Sequence, residues 1–179
     1  MKYFLFTVLI ICIISCSDNK VKPDIDVSIE EENLPVQESW KSKIIFSENG
    51  ETKAELYSDH IRMFIDPKEK LLTTVEIDFY NERGEKNSRL TSKRGRIDDV
   101  TENMYAIDSV VAYNDSSRVR LETDELMWRK SDKKIVTDKF VRIKTPDEVI
   151  EGYGFESDQS LRNYVIYDIT YQTTLKKKK

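Results

Sequence analysis

The residues able to do acid–base or covalent chemistry are few, and their spacing does not assemble a catalyst. His60 is the only histidine in the chain and follows Ser58 and Asp59. A hydroxyl nucleophile needs a base within hydrogen-bond reach. Nothing in the spacing pairs a serine with His60, so a surface or hydrogen-bonded histidine is the expectation. One histidine without thiols cannot complete a zinc set, and no metal site is expected. Adjacent acids occur at Asp98-Asp99, Asp124-Glu125 and Asp147-Glu148. On a strand such neighbours point to opposite faces, which does not make the facing carboxylate couple of a glycosidase. Gly152 and Gly154 lie inside a β pattern, where glycine marks a bend more often than a phosphate loop. The inventory predicts no enzyme and no cofactor.

Cysteine chemistry is the exception. The segment "LIICIISCSDNK" ends an apolar run from Tyr3 to Ile14, preceded by the single cation Lys2. A membrane-spanning helix needs about 20 apolar residues; a short run behind a cation reads as a secretory signal peptide over residues 1–15. Its end, Ile13-Ile14-Ser15-Cys16, resembles the lipobox of bacterial lipoproteins, which implies acylation of Cys16 and a membrane anchor through that residue. Cys12 leaves with the signal, so the remaining chain can form no internal disulfide.

Residues 16–39 hold Pro23, Pro35 and the acidic run Glu30-Glu31-Glu32, with few large apolar side chains. Such a segment cannot bury enough surface to offset chain ordering and reads as a flexible tether. Residues 40–175 are enough for one domain with a real core; Lys176 to Lys179 form a solvated tail. Net charge is −4, without a basic stripe carrying interleaved aromatics, so nucleic acid is not an expected partner.

The elements that must carry the remaining function are strands. Val75, Ile77 and Phe79 alternate with Glu76 and Asp78, and Val165, Tyr167, Ile169 and Tyr171 alternate with Asp168, Thr170 and Gln172. Turn-like spacers such as Asn49-Gly50, Asn81-Glu82-Arg83-Gly84 and Thr145-Pro146-Asp147 separate them, which predicts an all-β, antiparallel fold. A weak repeat underlies the pattern. "AELYSDHI", "SRLTSKRGRI", "VRLETDELMW" and "EVIEGYGFES" align Leu56, Leu90, Leu121 and Ile150, at intervals of 34, 31 and 29 residues. "NMYAIDSVVAY" matches "KKIVTDKFVRI" at an offset of 30, and the alternation changes phase at Asp108-Ser109 and Asp138-Lys139, as a bulge would make it do. Such units bury their apolar faces only by stacking.

The stretches "TSKRGRIDDVTENMYAIDSVVAY", "LETDELMWRKSDKKIVTDKFVRI" and "EGYGFESD" resemble the LptC family, the periplasmic bridge component of lipopolysaccharide export with its OstA-like β-jellyroll. The likeness covers roughly residues 40–173. It implies a single twisted or V-shaped jellyroll with a groove for lipid acyl chains. The partners it implies are lipopolysaccharide, the membrane subunits of an ABC transporter and a periplasmic OstA-like bridge protein. Lipid is handed on through paired edge strands, and the location implied is the periplasm, anchored to the inner membrane. Better-known members begin with a transmembrane helix; here a lipobox stands in its place. The wall positions predicted from strand spacing are Leu56, Ile77, Phe79, Leu90, Ile107, Val111, Leu121, Val141, Ile143 and Ile150, whether the interior is filled or open. Val165, Tyr167, Ile169 and Tyr171 form the predicted docking edge. The alternative is an anchored β-sandwich lipoprotein that binds a protein or a glycan.

Overall fold

The computed structural model describes residues 34–174, and these are strand and turn throughout. Nine strands run β1 (Gln37–Glu48), β2 (Glu51–Phe64), β3 (Glu69–Tyr80), β4 (Lys86–Asp98), β5 (Met104–Asn114), β6 (Arg120–Arg129), β7 (Lys134–Lys144), β8 (Glu148–Ser157) and β9 (Tyr164–Thr174). They form one antiparallel sheet in chain order, open at β1 and β9. The all-β expectation and the β-jellyroll agree with this. β1 begins at Gln37, inside the span read as tether, because Gln37 to Trp40 pair with Met63 to His60. The signal segment, Cys16 and the lysine tail lie outside the described residues.

The turns follow their residues. Asn49 and Gly50 both have positive φ, 53° and 82°, as a two-residue hairpin turn of this twist requires. Asp98 fixes the β4–β5 turn by accepting from the backbone N–H groups of Val100 and Thr101 at 2.9 and 3.0 Å.

The repeat is visible as a single ladder row. Ile44, Leu56, Ile77, Leu90, Ala112, Leu121, Ile143 and Ile150 are successive cross-strand partners from β1 to β8. The same row corrects the offset between β5 and β7. Ala112 and Ile143 share this row, and Met104 and Ile135 share another through Trp128. Each pair is 31 residues apart, not 30. A slip of one residue turns every side chain to the other face, and that is the error at Ile107 and Val111. Ala106, Val110 and Ala112 are the buried apolar residues of β5. Ile107 is flanked by Arg94 and Glu125 on the outer face, and Val111 by Thr91 and Glu122.

A seam of irregular pairing crosses the middle of the sheet. Register breaks fall at Thr91/Arg94, Ile107/Val110, Thr123/Met127, Thr137/Phe140 and Glu151/Gly152. Asp108 and Ser109 both have positive φ, so the bulge expected there is present, and the break at Thr137/Phe140 spans Asp138-Lys139. Bulges raise local twist and bend a strand; aligned across a sheet they form a crease.

Two contacts require that crease. Glu48, at the β1–β2 end, meets Lys133 at the β6–β7 end, and Asn114, at the β5–β6 end, donates to the Ser160 carbonyl in the β8–β9 loop. In a meander these turns lie at opposite ends of strands about 35–40 Å long, so the halves on either side of the seam must face each other. Over β5–β8 they enclose a packed core. Leu121, Val141 and Ile143 are each 0% exposed, with Leu126, Phe155 and the loop residue Leu161 packed beside them. Over β1–β4 a smaller cluster of Leu56, Ile61, Leu72 and Val75 forms instead.

Candidate functional site

Between the facing halves, along β1–β4 and the ends of β5–β7, lies a groove of about 1540 Å³. Its walls are Ile44, Phe46, Leu56, Leu72, Val75 and Ile77, with Phe79, Leu90, Ile97 and Leu126 further along. Strand alternation supplies the walls: the crease sets one apolar face of the sheet opposite another part of the same face. Four of the ten predicted wall residues line this space: Leu56, Ile77, Phe79 and Leu90. Leu121, Val141, Ile143 and Ile150 are inward-facing but buried, away from the groove lining. They belong to the half of the sheet where the groove is filled, because Leu161 and the Asn114–Ser160 bond bring the β8–β9 loop over that end. Ile107 and Val111 are on the opposite face.

Two polar atoms interrupt the apolar wall. The Ser88 hydroxyl and the Trp128 indole N–H both belong to lining residues, are buried, and have no hydrogen-bond partner among the described residues. Charge collects at the mouth, where turns from the two halves oppose each other. Glu48 Oε1 lies 2.9 Å from Lys133 Nζ; Lys130 pairs with Glu102 at 2.8 Å, and Lys70 pairs with Asp99. The Lys133 ammonium, helped by Lys53 and Lys130, holds the Glu48 carboxyl below the usual carboxylate range.

The seam carries residues that strand spacing alone did not single out. Ser58 Oγ donates to the Thr73 and His60 carbonyls at 2.7 and 3.1 Å, and Ser92 Oγ to the Arg94 carbonyl at 2.8 Å. Thr123 Oγ1 donates to the Phe140 carbonyl at 2.8 Å. Each hydroxyl follows an aligned leucine by two residues, at Leu56, Leu90 and Leu121. That recurring column was the available signal. In the fourth repeat the position is Gly152, where a Cβ would stand 2.4 Å from the Asp168 carbonyl oxygen.

The chemistry-bearing residues are structural. His60 Nε2 lies 2.6 Å from Glu38 Oε2, and its ring stacks on Trp40 at 4.9 Å on the outer face. No group of acidic, histidine or cysteine side chains among the described residues is placed to hold a metal ion. On β9, Val165, Tyr167, Ile169 and Tyr171 are each more than half exposed, and among the described residues the strand pairs with β8 alone. The predicted docking residues therefore do lie on an edge strand.

The sequence likeness implied a twisted or V-shaped β-jellyroll, and the antiparallel all-β sheet is consistent with a jellyroll. The profile of the family described as Lipopolysaccharide-assembly, LptC-related, matches residues 3–170, nearly the whole chain. The chain belongs to the LptC-related family. No curated relative matches it. Membership supports a role in the lipopolysaccharide transport bridge, and LptC-related proteins are transport components of the periplasm, not enzymes.

Proposed function

We propose that this chain is a lipid carrier of the lipopolysaccharide export bridge. It receives lipopolysaccharide from the membrane subunits of an ABC transporter and passes the acyl chains along its groove to the next OstA-like β-jellyroll. The observation that carries this reading is the apolar groove walled by Leu56, Ile77, Phe79 and Leu90 beside a solid core. Each methylene moved from water into such a wall contributes about 0.8 kcal/mol, so binding needs no specific chemistry along the chains. Acylated Cys16 supplies the anchor, in the inner membrane, and β9 supplies the edge on which the next jellyroll adds a strand.

Lipid extraction tests the carriage. The full chain, purified from a lipopolysaccharide-producing host, should yield acylated glycolipid. Ile77→Asp, which sets a carboxylate in the wall, should yield none while the protein still melts cooperatively. Absence of glycolipid from the native chain would leave an anchored protein- or glycan-binding module. The anchor has its own test: Cys16→Ala should lose membrane association, and recovery with membranes at the native level would refute acylation there.

A further inference from the structure

The mouth of the groove carries a charge arrangement that apolar carriage does not use. Glu48 stands at the end of β1, and Lys133 in the β6–β7 turn reaches it across the mouth. Lys53, at the start of β2, and Lys130, in the same β6–β7 turn as Lys133, act on the same carboxylate. Lys133 thus meets the Glu48 carboxylate directly, and two further ammonium groups, one from the β1–β2 hairpin and one from the β6–β7 turn, add to the field on it. Lys53 and Lys130 have further partners in Glu51, at 2.6 Å, and Glu102, at 2.8 Å. The set of three lysines and three glutamates is therefore neutral. Lys133 and Glu48 are the members that join opposite halves of the crease, and both side chains are more than half exposed. An exposed pair of this kind is weak and readily exchanged.

We propose that the Glu48–Lys133 bridge occupies the seat of a phosphate monoester on the lipid headgroup, which displaces Glu48 from Lys133 as the acyl chains enter the groove. The inference rests on the carrier reading above. The displacement has a physical basis. A phosphate monoester carries between one and two negative charges at neutral pH and three acceptor oxygens, whereas Glu48 offers one charge. Lysine binds phosphate as a compact point charge with rotatable donors, so Lys133 and Lys130 of the β6–β7 turn and Lys53 of the facing hairpin can reorient toward one group. Release of Glu48 also unties the only ion pair among the described residues that joins β1 to the β6–β7 turn, so headgroup binding and widening of the mouth become one event. A ligand without phosphate leaves the bridge closed.

The groove contains its own reporter, because Trp128 lines it and Lys130 Nζ sits 5.9 Å from that ring. With Trp40→Phe removing the other tryptophan, the full chain is titrated with a bisphosphorylated acylated glucosamine disaccharide, its dephosphorylated form, and inorganic phosphate alone. The bisphosphorylated lipid should bind more tightly than the dephosphorylated one. Glu48→Gln, which removes the internal competitor and makes the mouth net positive, should tighten the phosphorylated lipid about threefold to fivefold and leave the other unchanged. Lys133→Gln should weaken only the phosphorylated lipid, by a similar factor. Equal affinity for the two lipids, or Glu48→Gln weakening both, overturns the phosphate seat while leaving the carrier reading intact. Binding of neither lipid overturns the carrier reading itself. Saturation by millimolar inorganic phosphate with no discrimination between the lipids assigns the lysines to free phosphate and overturns the headgroup assignment.

Discussion

Asp78 shows how far a single side chain can be read for stability. It is buried on the face opposite the groove, where Arg89 holds it with Nε and Nη2 at 2.7 and 3.0 Å and Lys86 lies 2.8 Å away. Burial alone would raise its carboxyl pKa; the hydrogen bonds from Arg89 and Lys86 outweigh that and hold it below the usual range. A carboxyl lowered by folding contributes stability that is complete above its unfolded value, near 3.9, and lost as pH falls through the folded value. Asp78→Asn should therefore cost about 1–2 kcal/mol at neutral pH. In denaturant titrations the gap from the native chain should shrink below about pH 4; a gap constant from pH 7 to 3 would mean the charge does nothing. Burial at Leu121 gives a second residue-level expectation. Leu121→Asp buries an unpaired carboxylate and should abolish folding, whereas Ile107→Ser should change stability by less than about 1 kcal/mol. Circular dichroism melts of the two variants separate the faces. Period-two alternation made Leu56, Leu90, Leu121 and Ile150 legible as buried. It failed at Ile107 and Val111 because β5 carries apolar residues on both faces, Ala106, Val110 and Ala112 inward and Ile107 and Val111 outward, and the match between β5 and β7 was taken one residue short.

At the scale of the element, the crease is the feature that turns a sheet into a container. A bulge leaves backbone groups off the ladder, and those facing inward must find partners. Ser58, Ser92 and Thr123 supply them from inside the crease, all less than one-tenth exposed. Thr123→Val keeps the shape and removes the donor, so the Phe140 carbonyl loses its 2.8 Å partner. A buried carbonyl so orphaned costs about 1–3 kcal/mol, and the denaturation midpoint should fall accordingly without change in slope. An unchanged midpoint would mean that water replaces the hydroxyl. The bulges at Asp108-Ser109 and Asp138-Lys139 were visible as a phase change, and the hydroxyl column was present in the aligned repeats. Their joint meaning was not legible, because only the folded sheet brings the column into one line across the strands.

Residues 34–174 form an open sheet with a filled half and a hollow half, and its two edges are unequal. β1 is tied across the mouth by Glu48, while β9 carries four large exposed apolar or aromatic side chains and, among the described residues, has no partner beyond β8. The sequence identified β9 as an edge from its place in the repeat order. Which half would be hollow was not legible, since it depends on contacts such as Asn114 with Ser160, 46 residues apart. An unpaired edge without proline is a template for another strand, and its shape depends on Gly152. There the backbones of β8 and β9 approach so closely that a Cβ would meet the Asp168 carbonyl oxygen at 2.4 Å and the Ile166 side chain at 2.8 Å. Gly152→Ala should therefore loosen β9 while leaving the core of β5–β7 intact, seen as hydrogen exchange gained in β9 alone. If β9 is the docking edge, that variant should lose crosslinking to the next β-jellyroll in step with its loss of β9 protection. Ile169→Pro should lose crosslinking as well, because it removes a backbone donor. Tyr167→Lys gives a check that leaves the backbone alone: a charge on the edge should weaken crosslinking with no change in melting temperature. Normal crosslinking by a folded Tyr167→Lys and a folded Ile169→Pro would place docking away from β9.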